Sequence, residues 1–389
     1  MLCSHFITLN HSTPYTFTPE TKIQQSGAAL KNVGSSPSWV TFSPDQPMIY
    51  TTDESNNGTV YAVRVDEARH INSRVAKRTS NAKTSFDVVG RAETGGAGPV
   101  SSALARNLLF VANYNGGSAS VHQLEKDGKF TSQKPEQVFQ FHRSPKGSSG
   151  PVQSRQNQSY AHEVAAEPSR RWVYVPDLGA DMIHRLSIPT NGQAKEVKVA
   201  GNTTVAPGSG PRHLAFWPTK KMNTKTYAYL ASELATTLTA FEISQEDGSL
   251  KMVDKPVSAL PEGVSPGANQ TTGNTRTTSE VAVSPDGKFV YVGTRGDKTE
   301  DHISVFKRDA ETGAVKFQDW YASGGRNLRH FSLTPEPLGR YIAAGHQDTG
   351  NVTILARDAD TGALKQTATV QNVGQVAFAG FATGPSHLD

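Results

Sequence analysis

Four residues that lie far apart in the chain could together carry out acid–base chemistry on a small anionic molecule. His162 and Arg212 each stand directly before a short apolar stretch, and Glu233 and Arg295 each stand at the end of one. Arginine stays charged and binds carboxylate or phosphate oxygens through paired hydrogen bonds. A histidine or glutamate beside it can move a proton at neutral pH. We therefore predict that these four residues are catalytic, provided that the fold brings them together.

Four further residues occupy the same two kinds of position elsewhere in the chain. Asn113, Tyr114 and Asp177 follow apolar stretches, and Arg329 precedes one as Arg212 does. We expect these residues to bind substrate. The alternative for each is a structural bond between neighbouring elements.

These positions are equivalent because one sequence phrase recurs. An apolar stretch runs into Ser/Thr-Pro with Asp or Gly, then into a second stretch that ends in a small polar cluster, and then into a third that alternates. The clearest copy spans residues 280–306. The other copies begin near Ser38, Val100, His162, Arg212 and Arg329, with a degenerate one near Gly374. Repeats of three or four short strands with Gly-rich turns are typical of a propeller.

The repeat predicts an all-β fold, a seven-bladed β-propeller that forms a single domain over residues 1–389. An open blade edge would leave backbone groups unpaired. We therefore expect the N-terminal strand at 5–9 to pair with strands of the C-terminal region, which closes the ring in one composite blade. Equivalent polar residues of different blades would then meet at one mouth of the central channel.

Composition narrows the range of partners. The net charge is +4 and the mean hydropathy is −0.48, which is typical of a soluble protein. We find no apolar run of the roughly 18 residues that a membrane helix needs. The basic residues are dispersed rather than clustered with aromatics, so we expect neither a nucleic-acid nor a membrane partner. The expected partner is a small-molecule substrate, and the oligomeric state is left open.

Motifs for other chemistries are missing or lack their structural setting. Residues 263–267 match a nucleophile elbow, but no helix is expected after them. There is no phosphate-binding loop, no dinucleotide fingerprint and no metal spacing among the histidines. We expect no cofactor and no metal. His184, His213 and His346 are interpreted as surface or hydrogen-bonded core residues.

Two features point to different cellular compartments. The single cysteine, Cys3, rules out an internal disulfide and favours a reducing compartment. Six candidate glycosylation sites favour the secretory pathway instead, and they are Asn10, Asn57, Asn157, Asn202, Asn269 and Asn351. We expect a secreted or secretory-pathway protein, with a cytoplasmic one as the alternative.

Three segments resemble the lactonase family of seven-bladed propellers. They are Phe110-Val-Ala-Asn-Tyr-Asn-Gly-Gly-Ser118, Val173-Tyr-Val-Pro-Asp-Leu-Gly-Ala-Asp181 and Gly210-Pro-Arg-His-Leu-Ala-Phe216. The family includes bacterial 6-phosphogluconolactonases and the fungal 3-carboxy-cis,cis-muconate lactonising enzyme. The resemblance implies that His162, Arg212, Glu233 and Arg295 match the His, Arg, Glu and Arg of the fungal cyclase site. Many relatives carry a second histidine just upstream of the first, where this chain has Gln158-Ser-Tyr-Ala.

The resemblance implies a cofactor-independent enzyme that closes or opens an oxygen heterocycle. The arginines would clamp substrate carboxylates, and His162 or Glu233 would move the proton. One alternative on the same scaffold is a fungal secondary-metabolite pericyclase, such as a hetero-Diels–Alder catalyst. The other alternative is a non-catalytic propeller that binds a protein or a glycan.

Overall fold

The computed structural model describes residues 4–9, 13–17, 23–67, 84–143, 147–218, 225–269 and 273–381. Cys3 and Asn10 lie outside the described residues. Within the described part, the regular structure is β-strand apart from one 3₁₀ turn at Ala194–Glu196. No helix there has both the length and the apolar character that a membrane crossing requires.

The first half of the chain forms three short N-terminal strands and then three sheets of consecutive strands. The N-terminal strands are β1 (Ser4–Leu9), β2 (Thr13–Phe17) and β3 (Gln24–Gln25). The next sheet contains β4 (Pro37–Phe42), β5 (Met48–Asp53), β6 (Thr59–Glu67) and β7 (Thr84–Glu93). It is followed by β8 (Pro99–Ala105), β9 (Leu108–Asn113), β10 (Ser118–Gln123) and β11 (Gln137–Gln140). The third contains β12 (Ala165–Ala166), β13 (Trp172–Asp177), β14 (Met182–Ser187) and β15 (Lys198–Thr204).

The second half forms three more sheets of consecutive strands. One contains β16 (Pro211–Trp217), β17 (Thr226–Ser232), β18 (Thr237–Ile243), β19 (Leu250–Met252) and β20 (Val257–Ser258). After a ribbon of β21 (Ala268–Asn269) and β22 (Gly273–Asn274) come β23 (Thr277–Val283), β24 (Phe289–Arg295), β25 (His302–Arg308) and β26 (Val315–Ala322). The last contains β27 (Leu328–Leu333), β28 (Tyr341–His346), β29 (Asn351–Arg357) and β30 (Leu364–Val370). The predicted all-β propeller is confirmed.

A further sheet, which we call the composite sheet, combines strands from the two ends of the chain. The final strand, β31 (Phe378–Phe381), pairs antiparallel with β1, and the sheet order is β3-β2-β1-β31. Phe6 lies opposite Phe381 and Leu9 lies opposite Phe378. The N-terminal strand has no earlier strand to pair with, and the pairing with β31 satisfies its backbone groups.

The first strands of neighbouring sheets lie side by side and run in the same direction. Ser38 Oγ donates to the carbonyl of Pro99 at 3.4 Å, and three residues further on Thr41 Oγ1 donates to the carbonyl of Ser102 at 2.6 Å. These two first strands, β4 and β8, therefore begin at the same end of the central channel, and the repeat predicts the same for the others. Residues at equivalent positions face one another there.

A tyrosine in the recurring phrase ties each of four sheets to the next. The hydroxyl groups of Tyr50 and Tyr174 donate at 2.6 Å to the carbonyls of Gly128 and Gly248, which lie in turns of the following sheets. Tyr229 and Tyr291 donate in the same way to glycine carbonyls at 3.0 Å. The glycines have positive φ, which other residues rarely adopt. The tyrosine and the glycine of the repeat thus have a structural role, which is to join neighbouring sheets through these hydrogen bonds.

Hydrophobic side chains fill the space between facing sheets. Phe110 of β9 and Val121 of β10 belong to one buried cluster with Val173 and Val175 of β13. Similar clusters join the other neighbouring sheets. Burial of these faces fixes the register of each strand, because a shift of one residue would turn every apolar side chain outward.

We expect Phe378→Ala to destabilise the protein by about 3–5 kcal/mol, because it leaves a cavity where the two chain ends meet. The Phe378 ring is 4 % exposed and stacks on the His330 ring at 4.1 Å between centroids. Urea unfolding measures the change. Val199→Ala is the control, since Val199 is 51 % exposed and its loss should change stability by less than about 0.5 kcal/mol. Equal, small effects of both changes would contradict this account of the composite sheet.

Candidate active site

β-Bulges in the first strands turn two arginines toward the channel. The register of β16 against β17 shifts between Pro211 and His213, which leaves Arg212 as the extra residue. The register of β27 shifts in the same way at Arg329. A bulge bends the strand and re-aims the extra side chain. The equivalence of Arg212 and Arg329 that the sequence predicted is therefore present in the backbone.

The ends of the second strands supply the acidic partner and another arginine. Glu233 directly follows β17, and its backbone N–H donates to the carbonyl of Gly210 at 2.7 Å. Arg295 is the last residue of β24. His162 lies just before β12, with its backbone N–H donating to the carbonyl of Pro176 at 2.8 Å. All of these positions belong to the same end of the channel.

The carboxylate of Glu233 is the centre of the site. Its Oε1 accepts a hydrogen bond from Arg155 Nη2 at 2.8 Å and lies 3.4 Å from Arg295 Nη2. Its Oε2 accepts a hydrogen bond from Arg212 Nε at 3.0 Å. Glu233 is only 1 % exposed. We use the name mouth cluster for Glu233 and the residues around it, which are Glu54, Tyr114, Arg155, His162, Arg212, Arg295 and Arg329.

Glu233 stays ionised despite its burial. Burial alone would raise the pKa of the Glu233 carboxyl, but the positive charges of Arg295, Arg155 and Arg212 outweigh that effect and lower the pKa to about 2. Such a weakly basic carboxylate is a poor proton acceptor at neutral pH. Its role in the cluster is to hold three guanidinium groups close together.

Arg212 is the most deeply placed of these guanidinium groups. It is 2 % exposed, its Nη1 donates to the carbonyl of Ser279, and the same atom lies 3.2 Å from His213 Nε2. Burial and then the charge of Arg295 lower the pKa of Arg212 to about 10, so the group is still charged at neutral pH. Among the described residues no hydrogen bond is formed by its Nη2, which leaves that donor for a ligand.

The imidazole of His162 lies beside these charges with few partners of its own. Its ring centroid is 5.2 Å from that of Tyr114 and 5.1 Å from that of His213. Its Nδ1 is buried and has no hydrogen-bond partner among the described residues. Burial, and then the charge of Arg212, lower the pKa of His162 well below its ordinary value. The ring is therefore neutral at physiological pH, and the same shift makes it a weaker base than a free imidazole.

Arg155 belongs to the site, although the sequence did not reveal it. It lies in a Ser/Gly/Gln-rich segment that has no strand periodicity. The side chain of the next residue, Gln156, is fully buried and donates to the carbonyl of Leu178 at 3.0 Å. That anchor fixes the turn and directs Arg155 over Glu233.

Tyr114 and Arg329 complete the mouth cluster. Tyr114 Oη accepts from Arg155 Nη2 at 3.4 Å. Arg329 Nη2 donates to Glu54 Oε2 at 2.6 Å. Glu54 follows β5 as Glu233 follows β17, so the register that predicted Glu233 could also have identified Glu54. The structure therefore brings together six of the eight predicted site residues.

Asn113 and Asp177 have no hydrogen bond to the mouth cluster among the described residues, and substrate binding by them stays a prediction. Both are fully buried. Asp177 accepts the backbone N–H groups of Tyr160 at 2.8 Å and Ala180 at 2.9 Å. The amide of Asn113 donates to the carbonyl of Thr94 at 3.3 Å. Each of these two side chains therefore forms structural hydrogen bonds at the end of its strand.

The histidines that were interpreted as hydrogen-bonded core residues have that role. His184 Nε2 lies 3.2 Å from Asp177 Oδ2, and His346 Nε2 lies 2.9 Å from Ser323 Oγ. His213 Nδ1 lies 2.9 Å from Glu280 Oε2. All three histidines are buried.

The candidate glycosylation sites differ in exposure. Asn57, Asn157 and Asn202 are exposed, so a glycan could attach to them. Asn351 is 1 % exposed inside β29, which rules it out as a glycan acceptor in the folded protein. Asn10 is outside the described residues, and Asn269 lies in β21. Glycosylation and secretion stay predictions.

A layer of buried side chains closes the channel beneath the mouth cluster. We call it the channel layer, and it consists of Trp39, Glu163, His213, Glu280 and His330. Glu280 Oε2 lies 2.9 Å from His213 Nδ1 and 3.4 Å from His330 Nε2. The Trp39 ring contacts both imidazoles, at 5.5 and 5.2 Å between centroids. Burial lowers the pKa of His330 to about 4 and raises that of Glu280, so it disfavours the charged form of both groups.

Comparison with known proteins identifies the family. The family model described as lactonase, 7-bladed beta-propeller matches residues 13–381, so the chain belongs to this family. A protein of Arthroderma benhamiae named as a probable 6-phosphogluconolactonase is 27 % identical over 367 residues, covering 92 % of this chain and 83 % of its own. The 6-phosphogluconolactonase of Formosa agariphila is 26 % identical over 335 residues, covering 85 % of this chain and 83 % of its own.

A solved structure agrees with this assignment. The crystal structure of a Bacteroides fragilis protein, to which 6-phosphogluconolactonase activity is provisionally assigned, has a TM-score of 0.79 and 26 % sequence identity. The match covers 98 % of each chain. The predicted family is thus confirmed, as is the prediction of an enzyme, while the particular reaction is left to proposal.

We expect the Glu233→Gln variant to lose part of the acid sensitivity of the native protein. The pKa of Glu233 is lowered on folding, so its stabilising contribution is full above the unfolded pKa and is lost as the pH falls toward 2. Between about pH 5 and pH 3 the free energy of unfolding should fall about 2 kcal/mol less in the variant than in the native protein. Urea unfolding at both pH values measures this difference. Exposed Glu246→Gln should keep the native pH dependence, and identical slopes in all three proteins would rule out the ion cluster.

Proposed function

We propose that the chain hydrolyses a phosphorylated sugar lactone at the mouth cluster. The observation that carries the proposal is a neutral imidazole, His162, placed beside guanidinium groups that are already held together by Glu233. The mouth cluster contains four guanidinium groups and two carboxylates, which leaves an excess of two positive charges. A phosphorylated lactone fits that excess, and relatives of this chain carry the name 6-phosphogluconolactonase.

The proposed chemistry needs one proton acceptor and one site for negative charge. A water molecule attacks the lactone carbonyl carbon, and His162 takes the proton that the water loses. The carbonyl oxygen becomes an oxyanion, which Arg212 Nη2 and Arg295 stabilise as preorganised donors. The ring C–O bond then breaks, and the leaving oxygen takes the proton back from the imidazolium. The product is an open-chain hydroxy acid.

We propose different roles for the two groups that the sequence offered for proton transfer. Glu233 is bound by three arginines and has a pKa of about 2, so it is unsuited to accept a proton at neutral pH. The lowered pKa of His162 also weakens it as a base, but among the described residues no guanidinium group is hydrogen-bonded to its ring. We therefore assign proton transfer to His162 and the positioning of the arginines to Glu233.

The composite sheet supports a closed channel around this site. His330 Nδ1 of β27 lies 3.0 Å from the carbonyl oxygen of Ala379 in β31. On the other side, the Phe378 ring lies 5.4 Å from the Trp39 ring of β4. We propose that this sheet serves as the seventh blade and closes the ring.

The positive charge of the mouth cluster also helps to choose between the lactonase proposal and its two alternatives, a pericyclase and a non-catalytic propeller. A pericyclase that orients two apolar partners would favour an aromatic pocket beside the His and Arg side chains. Here the residues next to Glu233 are arginines, and Tyr114 with its stacked neighbour Tyr160 lies at one side. This cationic lining favours lactone chemistry. A non-catalytic propeller would not depend on His162, which the following variant tests.

We expect His162→Gln to lower kcat by about 10²–10⁴-fold with a smaller change in KM, because it removes the general base and leaves the arginines in place. The measurement is the hydrolysis of 6-phosphoglucono-1,5-lactone above its spontaneous rate. His142→Gln is the control, since His142 is exposed and outside the cluster. If kcat of the His162 variant stays within about threefold of the native value, His162 is not the base.

We expect Arg155 to contribute to binding the anionic group of the substrate. Arg155 has a side-chain exposure of 30 %, more than Arg212 or Glu233, so it can turn from Glu233 to a ligand. Arg155→Gln should raise KM about 10- to 100-fold for the phosphorylated lactone, the value of one or two charge-assisted hydrogen bonds. The same change should have little effect on glucono-1,5-lactone, which has no phosphate. Exposed Arg340→Gln is the control, and an equal loss on both lactones would contradict this role.

A further inference from the structure

A cavity lies at the opposite end of the channel from the mouth cluster. Each residue of a strand advances it by about 3.3 Å. Phe216 is four residues beyond Arg212 in β16, so it lies about 13 Å further along the channel. The cavity has a volume of about 650 Å³ and is lined by the later residues of several first strands. The channel layer, including Trp39 and His330, lies between this cavity and the mouth cluster.

The lining of the cavity is mainly apolar and aromatic. Its walls include Phe42, Leu104, Phe216, Phe378 and Phe381, and Trp39 lies at its inner end. The lining also includes charged residues, which are Asp45, Arg106, Glu125, Lys126 and Arg170. Thr41 and Ser102 add hydroxyl groups, but these are bonded to each other at 2.8 Å and so are already partnered. Such a chamber suits a small ring-shaped molecule, because pockets for small ligands combine apolar walls with a few polar groups.

One polar side chain in this lining has an atom without a partner. Glu163 is 7 % exposed and belongs to both the channel layer and the cavity wall. Its Oε2 accepts the backbone N–H of Leu214 at 2.6 Å. No hydrogen bond to its Oε1 is formed within the described part of the chain. Glu163 Oε1 is therefore open to the cavity, where a ligand can form a hydrogen bond with it.

The protonation of Glu163 defines which kind of ligand atom it would bind. Burial raises the pKa of Glu163 well above its ordinary value, and the nearby carboxyl of Glu280 raises it further. Burial thus favours the protonated form of Glu163, and because Oε2 accepts from Leu214, a proton on Oε1 would let the carboxylic acid donate a hydrogen bond into the cavity. A ligand with a carbonyl, ether or hydroxyl oxygen matches that donor.

We propose that this cavity is a second binding site, which takes a neutral, mainly apolar ring molecule with one oxygen acceptor bound to Glu163. The site is separate from the mouth cluster and does not depend on the lactonase proposal. Its ligand would be unlike the anionic substrate of the mouth. The chain would then bind two chemically different molecules at the two ends of one channel.

The test uses two probes of equal shape, 1-tetralone and tetralin, which differ by one carbonyl oxygen. Equilibrium dialysis against the full-length protein at neutral pH gives both dissociation constants. In Glu163→Leu, the ratio of the two constants should shift roughly five- to tenfold toward tetralin, the value of one neutral hydrogen bond. Glu163→Gln keeps a donor and an acceptor and should retain the native ratio. Exposed Glu246→Leu is the control and should also retain it.

A crystal soaked with 6-bromo-1-tetralone keeps the proposal testable if Glu163→Leu does not fold. Anomalous scattering from bromine should place the probe in this cavity, with its ketone oxygen within hydrogen-bond distance of Glu163. Bromine found only in the mouth cluster, or no bound probe, would overturn the proposal. An unchanged ratio of dissociation constants in a folded Glu163→Leu variant would overturn it as well.

Discussion

The site depends on one interaction, the buried carboxylate of Glu233 among three guanidinium groups. Arg155, Arg212 and Arg295 would repel one another without it, and Glu233 could not stay ionised in this burial without them. Removing one partner of a buried ion pair typically costs about 3–5 kcal/mol, because the remaining charge is left uncompensated. The interaction therefore fixes where positive charge is concentrated before any substrate arrives.

Burial and that concentration of charge act together on His162. Burial is the main cause that lowers the pKa of the imidazole, and the charges of Arg212, Arg329 and Arg295 lower it further. A neutral imidazole beside fixed positive charge can take a proton from water while the charge stabilises an oxyanion. The proposed preorganisation and proton transfer would thus come from a single arrangement of charges. The channel layer lies between this arrangement and the opposite cavity.

The sequence predicted those parts of the molecule that repeat. Strand alternation and the recurring turns predicted the propeller, and register brought His162, Arg212, Glu233 and Arg295 to one mouth, because each stands at a fixed position of the repeat. The hydrogen bonds of Asn113 and Asp177 to neighbouring loops could not be predicted, because alternation does not reveal the partners of a strand-end side chain. Arg155 could not be predicted, because a long loop anchored by Gln156 has no period. Asn351 satisfies the glycosylation pattern, but tertiary burial, which the pattern ignores, removes it from solvent.

The most direct test of the account is a crystal structure of the protein with 6-phosphogluconate, the hydroxy acid that the proposed hydrolysis would produce. The account predicts that the product lies in the mouth cluster, with its carboxylate hydrogen-bonded to Arg212 and Arg295 and within reach of His162, and with its phosphate against Arg155. A product bound elsewhere on the protein, or bound without contact to these arginines, would contradict it.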